Sequence, residues 1–443
     1  MDIEICTVGG YSEIGANMTA VRVGDEVVIF DMGFHIPSII RLQEEETSKT
    51  DLTREQLINA GAVPDDSVIK KWKGKVKAIV LGHCHLDHIG AVPYLAERYK
   101  CPIYGSAYTI EVLKVTTRDD KVSIKQPLKV LNSNSKVKLS ENLTLEFVHV
   151  THSTPGTVFA ILHTPKGAII YGNDFKLDNT PTLGKKPNYK RLEEIGKKGV
   201  LALIVDALYS NLDIKTPSES VAKTLVNDVL LHTNNKGKLV IVTTFASQIA
   251  RIKEVIEAAK KMKRKIVVLG RSMNKYITAA ENIGLVNFTK DVELVKYGRE
   301  VRSKLREIQK SPGEYLVICT GNQGEPRAIL TRMAFGDLPY KFQGGDHVVY
   351  ACKTIPAAIN IANREVQENK LRQRGVRMFK DIHASGHLAR EDHRELIKML
   401  NPEYVLPSHA KLDKKQALQN LALEMGYHKY NVPILKNGDI LEL

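Results

Sequence analysis

The sequence predicts an α/β protein, and two observations carry the prediction. A long first section holds short apolar runs of β type separated by turn residues, and a middle section alternates such runs with amphipathic helical stretches. Length adds a third, since 443 residues exceed what one small core organises and imply two or three domains. The first section, residues 1–208, contains IEICTVGG, TAVRVG, EVVIFDMG, KAIVLGH, LTLEFVHVTH, TVFAILHT, GAIIYGND and LALIVDA, with few helical stretches between them. The second, residues 209–377, opens with KLVIVTTF, ASQIARIKEVIEAAKKM and KIVVLG, then carries YLVICTG and DHVVYA. Ile249, Ile252, Val255, Ile256 and Ala259 follow helical spacing, so strands joined by helical crossovers predict a parallel sheet. The third, residues 378–443, holds DIHASGH, a helix over HRELIKMLN, strand-like YVLPSHA and a closing strand pair. Between Phe34 and Lys75 lies an insertion containing EEETSKTDLTREQ, polar and without a period of two, which predicts a long and partly helical excursion.

Composition narrows the class. Hydrophobic residues make up 43% and charged residues 26%, the balance of a folded globular chain. No run approaches the roughly 18 apolar residues of a membrane span, and MDIEICTVGG lacks the basic-then-apolar pattern of a signal peptide. The chain therefore reads as cytoplasmic, with no membrane partner. Five scattered cysteines without a CxxC pair suit buried thiols in a reducing compartment. The net charge of +14 is uneven: residues 211–377 carry 29 Lys and Arg against 16 Asp and Glu, whereas the remainder carries 35 against 34. A single run such as KKMKRK is commonly a solvated helix face. An imbalance over a whole section instead suits a polyanionic partner, nucleic acid being the commonest.

The densest chemistry lies in LGHCHLDHIGAVPYL. Three histidines and an aspartate fall within six consecutive residues, His83, Cys84, His85, Leu86, Asp87 and His88, between an apolar strand and a helix. A loop at a strand end points alternate side chains inward, so His83 and His85 suit one metal ion while Asp87 and His88 face a second.

This stretch resembles the HxHxDH motif of the metallo-β-lactamase superfamily. Asp31 in IFDMG, His152 in VTHSTPGT, Asp174 in YGNDFK and His409 in VLPSHA match the superfamily's other motifs in order. The resemblance implies a metallo-β-lactamase αββα sandwich. It assigns His83, His85 and His152 to one ion, Asp87, His88 and His409 to the other, and Asp174 to both. Nitrogen and oxygen ligands favour two Zn2+ per chain, with Mn2+ the alternative, and Cys84 should face away. The chemistry implied is hydrolysis by an activated water, without a side-chain nucleophile.

The middle section resembles an inserted β-CASP domain, a parallel sheet flanked by helices that marks the nucleic-acid branch of the superfamily. Asp206 in LIVDALYSN, His387 in HASGH and His409 fit its three motifs. Together TTFASQIARI, CTGNQGEPRAILTRMA and HASGH are similar to the ribonuclease J family, in particular its shorter archaeal forms, over essentially the whole chain. That similarity implies a 5′-to-3′ exoribonuclease releasing mononucleotides from single-stranded RNA with a 5′-monophosphate, and a homodimer as a plausible assembly. Ala246, Ser247, Gln248, His383, Ser385, Gly386 and His387 would form the terminal-phosphate pocket. Asp87 and Asp174 would serve catalysis as ligands, His387 would stabilise the phosphate or protonate the leaving oxygen, and Asp206 would orient a ligand histidine. The alternative within the branch is an endoribonuclease of the RNA 3′-end processing type, indifferent to the 5′ end.

Local physics supports part of this pocket. Ser247 sits between a strand and a helix, where hydroxyl and backbone N–H groups can take a phosphate. GNQG, residues 321–324, offers glycine-permitted close approach to a backbone. Two departures from the family pattern are PSHAK in place of PxHGE, and Asn322 where serine is common.

Overall fold

The computed structural model describes residues 1–45, 52–355 and 357–443, so the middle of EEETSKTDLTREQ lies outside the described residues. Chain contacts divide it into two compact units: residues 1–179, 185–216 and 386–443 in the first, and 180–184 with 217–385 in the second.

The first unit starts with β1 (Ile3–Gly9), β2 (Met18–Val23) and β3 (Glu26–Phe30), an antiparallel meander. After the insertion, β4 (Val76–Val80), β5 (Ile103–Gly105) and β6 (Leu128–Val130) extend the same sheet in parallel. A second sheet comes next: β7 (Ser135–Lys138), β8 (Thr144–His149), β9 (Val158–Thr164) and β10 (Gly167–Gly172) are antiparallel, and β11 (Val200–Asp206) runs parallel to β10. The described parts of the insertion are helical at Ile36–Glu45, Arg54–Asn59 and Asp66–Lys75.

The second unit holds β12 (Val240–Thr243), β13 (Lys265–Leu269), β14 (Val292–Val295), β15 (Tyr315–Cys319), β16 (His347–Tyr350) and β17 (Arg377–Phe379). They form an all-parallel sheet in the order β14-β13-β15-β12-β16-β17 with helical crossovers, as the alternation of runs predicts. The chain then returns to the first unit. There β18 (Tyr404–Ser408) lies parallel to β11, and β19 (Ile440–Glu442) is antiparallel to β1.

Side-chain alternation explains the layers of the first unit. Along β11, Ala202 and Ile204 join the core between the two sheets, with Val28, Phe30, Val80 and Phe147. Leu203 and Val205 face the other way, packing with Leu192, Ile195, Leu396, Ile397, Leu418 and Leu421 from helices on the outer face. Both faces of β11 are thus buried, which is why LALIVDA reads as a continuous apolar run rather than an alternating one.

Two helices go beyond the sequence expectation. Ala107–Asp119 forms in a section expected to hold few helices, and Leu412–Glu424 lies between YVLPSHA and the chain's last strand; of the expected closing strand pair, the described residues form β19. The second has a plain cause: Leu418, Leu421 and Ala422 recur at helical spacing and bury completely.

The two crossings between units run side by side within the first unit. Backbone N–H groups of Arg390 and Glu391 donate to the carbonyls of Leu212 and Ile214 at 3.1 and 3.2 Å. Thr216 Oγ1 donates to the His387 carbonyl at 2.9 Å, and Asp392 Oδ2 accepts from the N–H groups of Thr216 and Ala389 at 2.8 and 3.1 Å. No helix among the described residues is long and apolar enough to cross a membrane. All five cysteines are buried and unpaired.

One buried histidine of this unit makes stability depend on pH. His393, on the helix Arg390–Leu400, is 0% exposed with neither ring nitrogen hydrogen-bonded. Burial, with Arg390 adding, holds it down at about 3, so the folded state stays neutral while the unfolded ring protonates near 6.5. Its stabilising share is complete above pH 6.5 and drains away as pH falls toward 3. Urea unfolding of His393→Leu across that window should show a flatter decline than the unaltered protein; parallel declines would refute the assignment.

Candidate metal centre

The opening motif is shaped by backbone lacing to the turn after β3. Asp31 takes a left-handed conformation, φ 58°. Its Oδ1 accepts from Gly82 N at 2.8 Å, and its Oδ2 lies 2.6 Å from His88 Nδ1. Met32 N donates to the His88 carbonyl and Phe34 N to that of Leu86, at 2.8 and 2.9 Å. This lacing requires glycine at position 33, where an added Cβ would fall 1.6 Å from the Asp87 carbonyl oxygen. His85 then caps the short helix Leu86–Ile89, which presents Asp87 and His88 on one turn. His152 and Asp174 come after β8 and β10. His409, φ 51°, stands directly after β18 and donates its N–H to the Gly10 carbonyl at 2.6 Å.

These segments converge on two groups, His83, His85, His152 and Asp174 in one, and Asp87, His88, Asp174 and His409 in the other. Asp174 belongs to both. In the first group His85 Nδ1 lies 3.0 Å from His83 Nε2 and 3.2 Å from His152 Nε2, and His83 Nε2 lies 3.7 Å from Asp174 Oδ2. Four ligands about 2.1 Å from a tetrahedral ion stand about 3.4 Å apart, so this spacing suits one divalent cation. In the second, His88 Nε2 lies 3.1 Å from Asp174 Oδ2 and 3.8 Å from Asp87 Oδ2, while His409 reaches Asp87 and Asp174 at 3.9 and 3.8 Å. A buried oxygen tests the fit: Asp174 Oδ1 has no hydrogen-bond partner, as expected of an atom whose natural partner is a cation.

Electrostatics agree. Burial holds His83 and His152 well below their ordinary value and His85 down to about 4, so their nitrogens keep the lone pairs that ligation needs. Around His88 burial is outweighed by Asp174, Asp87 and Asp31, which hold the ring well above its ordinary value; the same carboxylates would favour a cation. Burial also opposes charge on Asp174, yet His409, His88 and His387 hold it well below the usual carboxylate range. Cys84 takes no part, its Sγ lying 2.9 Å from Thr154 Oγ1 and outside both groups.

Around the seven lie residues that position them. His152 Nδ1 donates to the Gly386 carbonyl at 2.7 Å, which turns Nε2 toward the centre. Asn17, 1% exposed, places Nδ2 within 2.8 Å of His409 Nδ1 and donates to the Asp87 carbonyl at 3.0 Å. Sequence reading misses Asn17, an ordinary amide in a turn, and treats Asp31 only as a motif match. Asp206, expected to orient a ligand histidine, has His387 as its partner instead, Nδ1 to Oδ2 at 2.6 Å. His387 also groups with Asp174, and although burial disfavours its charge, Asp206 and Asp174 push it up to about 9.

The second unit carries the remaining candidates at the carboxyl edge of its parallel sheet, the usual place for ligands in open α/β sheets. Ala246 and the buried Ser247 and Gln248 come after β12, and His383 and Ser385 after β17. Gln248, rather than Ser247, is the N-cap of the helix Ile249–Lys261, and the Gln248 side chain makes no capping hydrogen bond there. The GNQG loop makes the close backbone approach expected of its glycines. A Cβ on Gly324 would fall 2.4 Å from the backbone of Asn363, so its close approach is to the protein's own helix Ala358–Gln373.

Comparison with known proteins agrees with this anatomy. The family model for the metallo-beta-lactamase superfamily matches residues 12–187, that for the beta-CASP domain of ribonuclease J residues 237–369, and that for the Zn-dependent metallo-hydrolase RNA specificity domain residues 375–433. The chain is 45% identical to "Ribonuclease J" of Methanocaldococcus jannaschii, covering 100% of this chain and 99% of that one. It is 44% identical to "Ribonuclease J" of Pyrococcus abyssi, covering 100% and 97%. A crystal structure of a protein of unknown function from Enterococcus faecalis shares the fold, with a TM-score of 0.66, 17% identity and full coverage of both chains.

Asp31→Ala should lower affinity for a divalent cation by about 10- to 100-fold, because both Gly82 and His88 lose the group that orients them. Chelator competition with metal analysis measures it. Affinity equal to that of the unaltered protein would show that the Asp31–His88 contact is incidental.

Proposed function

The chain belongs to the ribonuclease J family of the metallo-β-lactamase superfamily, and we propose that it is a metal-dependent 5′-to-3′ exoribonuclease acting on single-stranded RNA with a 5′-monophosphate. The observation that carries this reading is the pair of ligand groups sharing Asp174, in a chain whose excess positive charge is concentrated in residues 211–377. His83, His85, His152 and Asp174 would hold one Zn2+, and Asp87, His88, His409 and Asp174 the other, with Mn2+ as the alternative occupant. Such ions supply an activated water and offset charge on the leaving oxygen.

The residues do the rest. Asp206 fixes the tautomer and direction of His387, whose Nε2 then donates a proton to the leaving ribose oxygen or a hydrogen bond to the scissile phosphate. Ser247 and Gln248 at the N-terminus of the helix Ile249–Lys261, and His383 and Ser385, would bind the terminal phosphate. Lysines and arginines of the second unit would track the RNA backbone without reading bases, so affinity should fall steeply with salt. Work on cytoplasmic RNA, as a homodimer, completes the proposal.

Two experiments test it. One RNA sequence bearing 5′-monophosphate, 5′-triphosphate or 5′-hydroxyl, resolved by product length over time, should yield mononucleotides from the outset and fastest from the monophosphate. Internal fragments formed without regard to the 5′ end would favour the endonuclease instead. Asp174→Ala should reduce cleavage at least about a thousandfold while leaving RNA affinity within a fewfold; residual turnover in a metal-stripped preparation would argue against the whole scheme.

A further inference from the structure

Among the described residues Arg251 is the largest fully buried side chain, at 0% exposure. A guanidinium in that setting must be paired and hydrogen-bonded, and here the partners are specific. Nε donates to Glu219 Oε1 at 2.8 Å and lies 3.3 Å from Glu254 Oε2, and Nη1 donates to two backbone carbonyls, Ala351 at 2.6 Å and Ile382 at 2.8 Å. Ala351 is the first residue past β16, and Ile382 lies three past β17, immediately before His383. Arg251 itself sits in the first turn of the helix that begins after Gln248.

A second chain of bonds meets the first. Thr244 Oγ1, just past β12, lies 2.6 Å from Gln248 Oε1 and 3.2 Å from the Ala351 carbonyl. Thr244, whose one hydroxyl proton is shared between Gln248 Oε1 and the Ala351 carbonyl, places the Gln248 carboxamide beside that carbonyl, and Arg251 ties the same carbonyl to Ile382. All of these groups belong to the second unit.

We propose that Arg251 is a positioning residue for recognition of the RNA 5′ end, setting the separation between the Ser247–Gln248 turn and the His383–Ser385 segment. The inference rests on the 5′-monophosphate reading above. It does not involve the metal ligands, so terminal-phosphate discrimination should depend on Arg251 while phosphodiester hydrolysis does not. Lysine at this position keeps the charge beside Glu219 but lacks the planar fork that reaches both carbonyls and the carboxylate together.

The test compares kcat/KM for 5′-monophosphate and 5′-hydroxyl RNA in the unaltered protein and in Arg251→Lys, with bound metal and hydrolysis of bis(p-nitrophenyl) phosphate as readouts independent of the 5′ pocket. The expected result is a fall in the monophosphate preference of about tenfold, expressed in KM, with metal content and hydrolysis of the small diester held within about twofold. Thr244→Val, which leaves Arg251 in place and cuts the other arm of the network, should shift the preference the same way and serves if Arg251→Lys does not fold. Equal losses on both RNAs would show a merely structural role and overturn the inference, as would an unchanged preference in both variants. Absence of any preference in the unaltered protein would remove the 5′-end reading itself, and this inference with it.

Discussion

A carboxylate that is 4% exposed, with one oxygen lacking any hydrogen-bond donor, is a costly thing to bury, and Asp174 is tolerable only because of what surrounds it. His88, His409 and His387 stabilise its charge, yet each of those rings needs a fixed orientation to do so. His88 is aimed by Asp31, His409 by Asn17, and His387 by Asp206. Each aiming residue is itself held by a strand end or a tight turn. The two sheets of the first unit are thus more than a support: their strand ends bring β3, β4, β8, β10, β11 and β18 to one place, and that convergence lets a negative charge persist where it is buried.

The second unit solves the converse problem in the same manner. Arg251 is a buried cation, and instead of meeting a single counter-ion it is distributed over the carboxylates of Glu219 and Glu254 and two carbonyls at the sheet's carboxyl edge. Parallel strands leave such carbonyls unpaired at their ends, and a guanidinium is the side chain best shaped to gather several at once. GNQG shows the same economy: Arg364 and Gln367 of the helix Ala358–Gln373 bind the carbonyls of Asn322 and Gly321, at 2.5 and 2.9 Å. In both units, buried charge appears where loops after strands must be held in one conformation.

How legible the molecule is in its sequence depends on the distance over which each signal acts. All eight apolar runs of the first section correspond to strands, because burial on one or both faces writes a local pattern. The HxHxDH loop is equally local. The helix Ala107–Asp119 escapes such reading because AYTIEVLKVTTRD mixes β-branched residues into a helical period, and its register shows only once Ile110, Val112 and Leu113 are seen to be buried. The job of Asp31 depends on a partner 57 residues away, that of Asn17 on one 392 away, and that of Arg251 on carbonyls 100 and 131 away. No periodicity encodes such contacts. The family resemblance reaches His152, Asp174 and His409 where spacing cannot, but it names ligands rather than the residues that hold them.

The order in which the chain delivers its parts has a consequence for synthesis. His409 rides directly behind β18, which pairs with β11 across an excursion of nearly two hundred residues. As the chain leaves the ribosome, six of the seven ligands emerge by residue 174, yet the last stays unmade until the whole second unit has been translated. The candidate centre is therefore incomplete until residue 409 has been translated. Because the inserted unit precedes His409 in the chain, the second ligand group can close only after β18 has been made and has paired with β11.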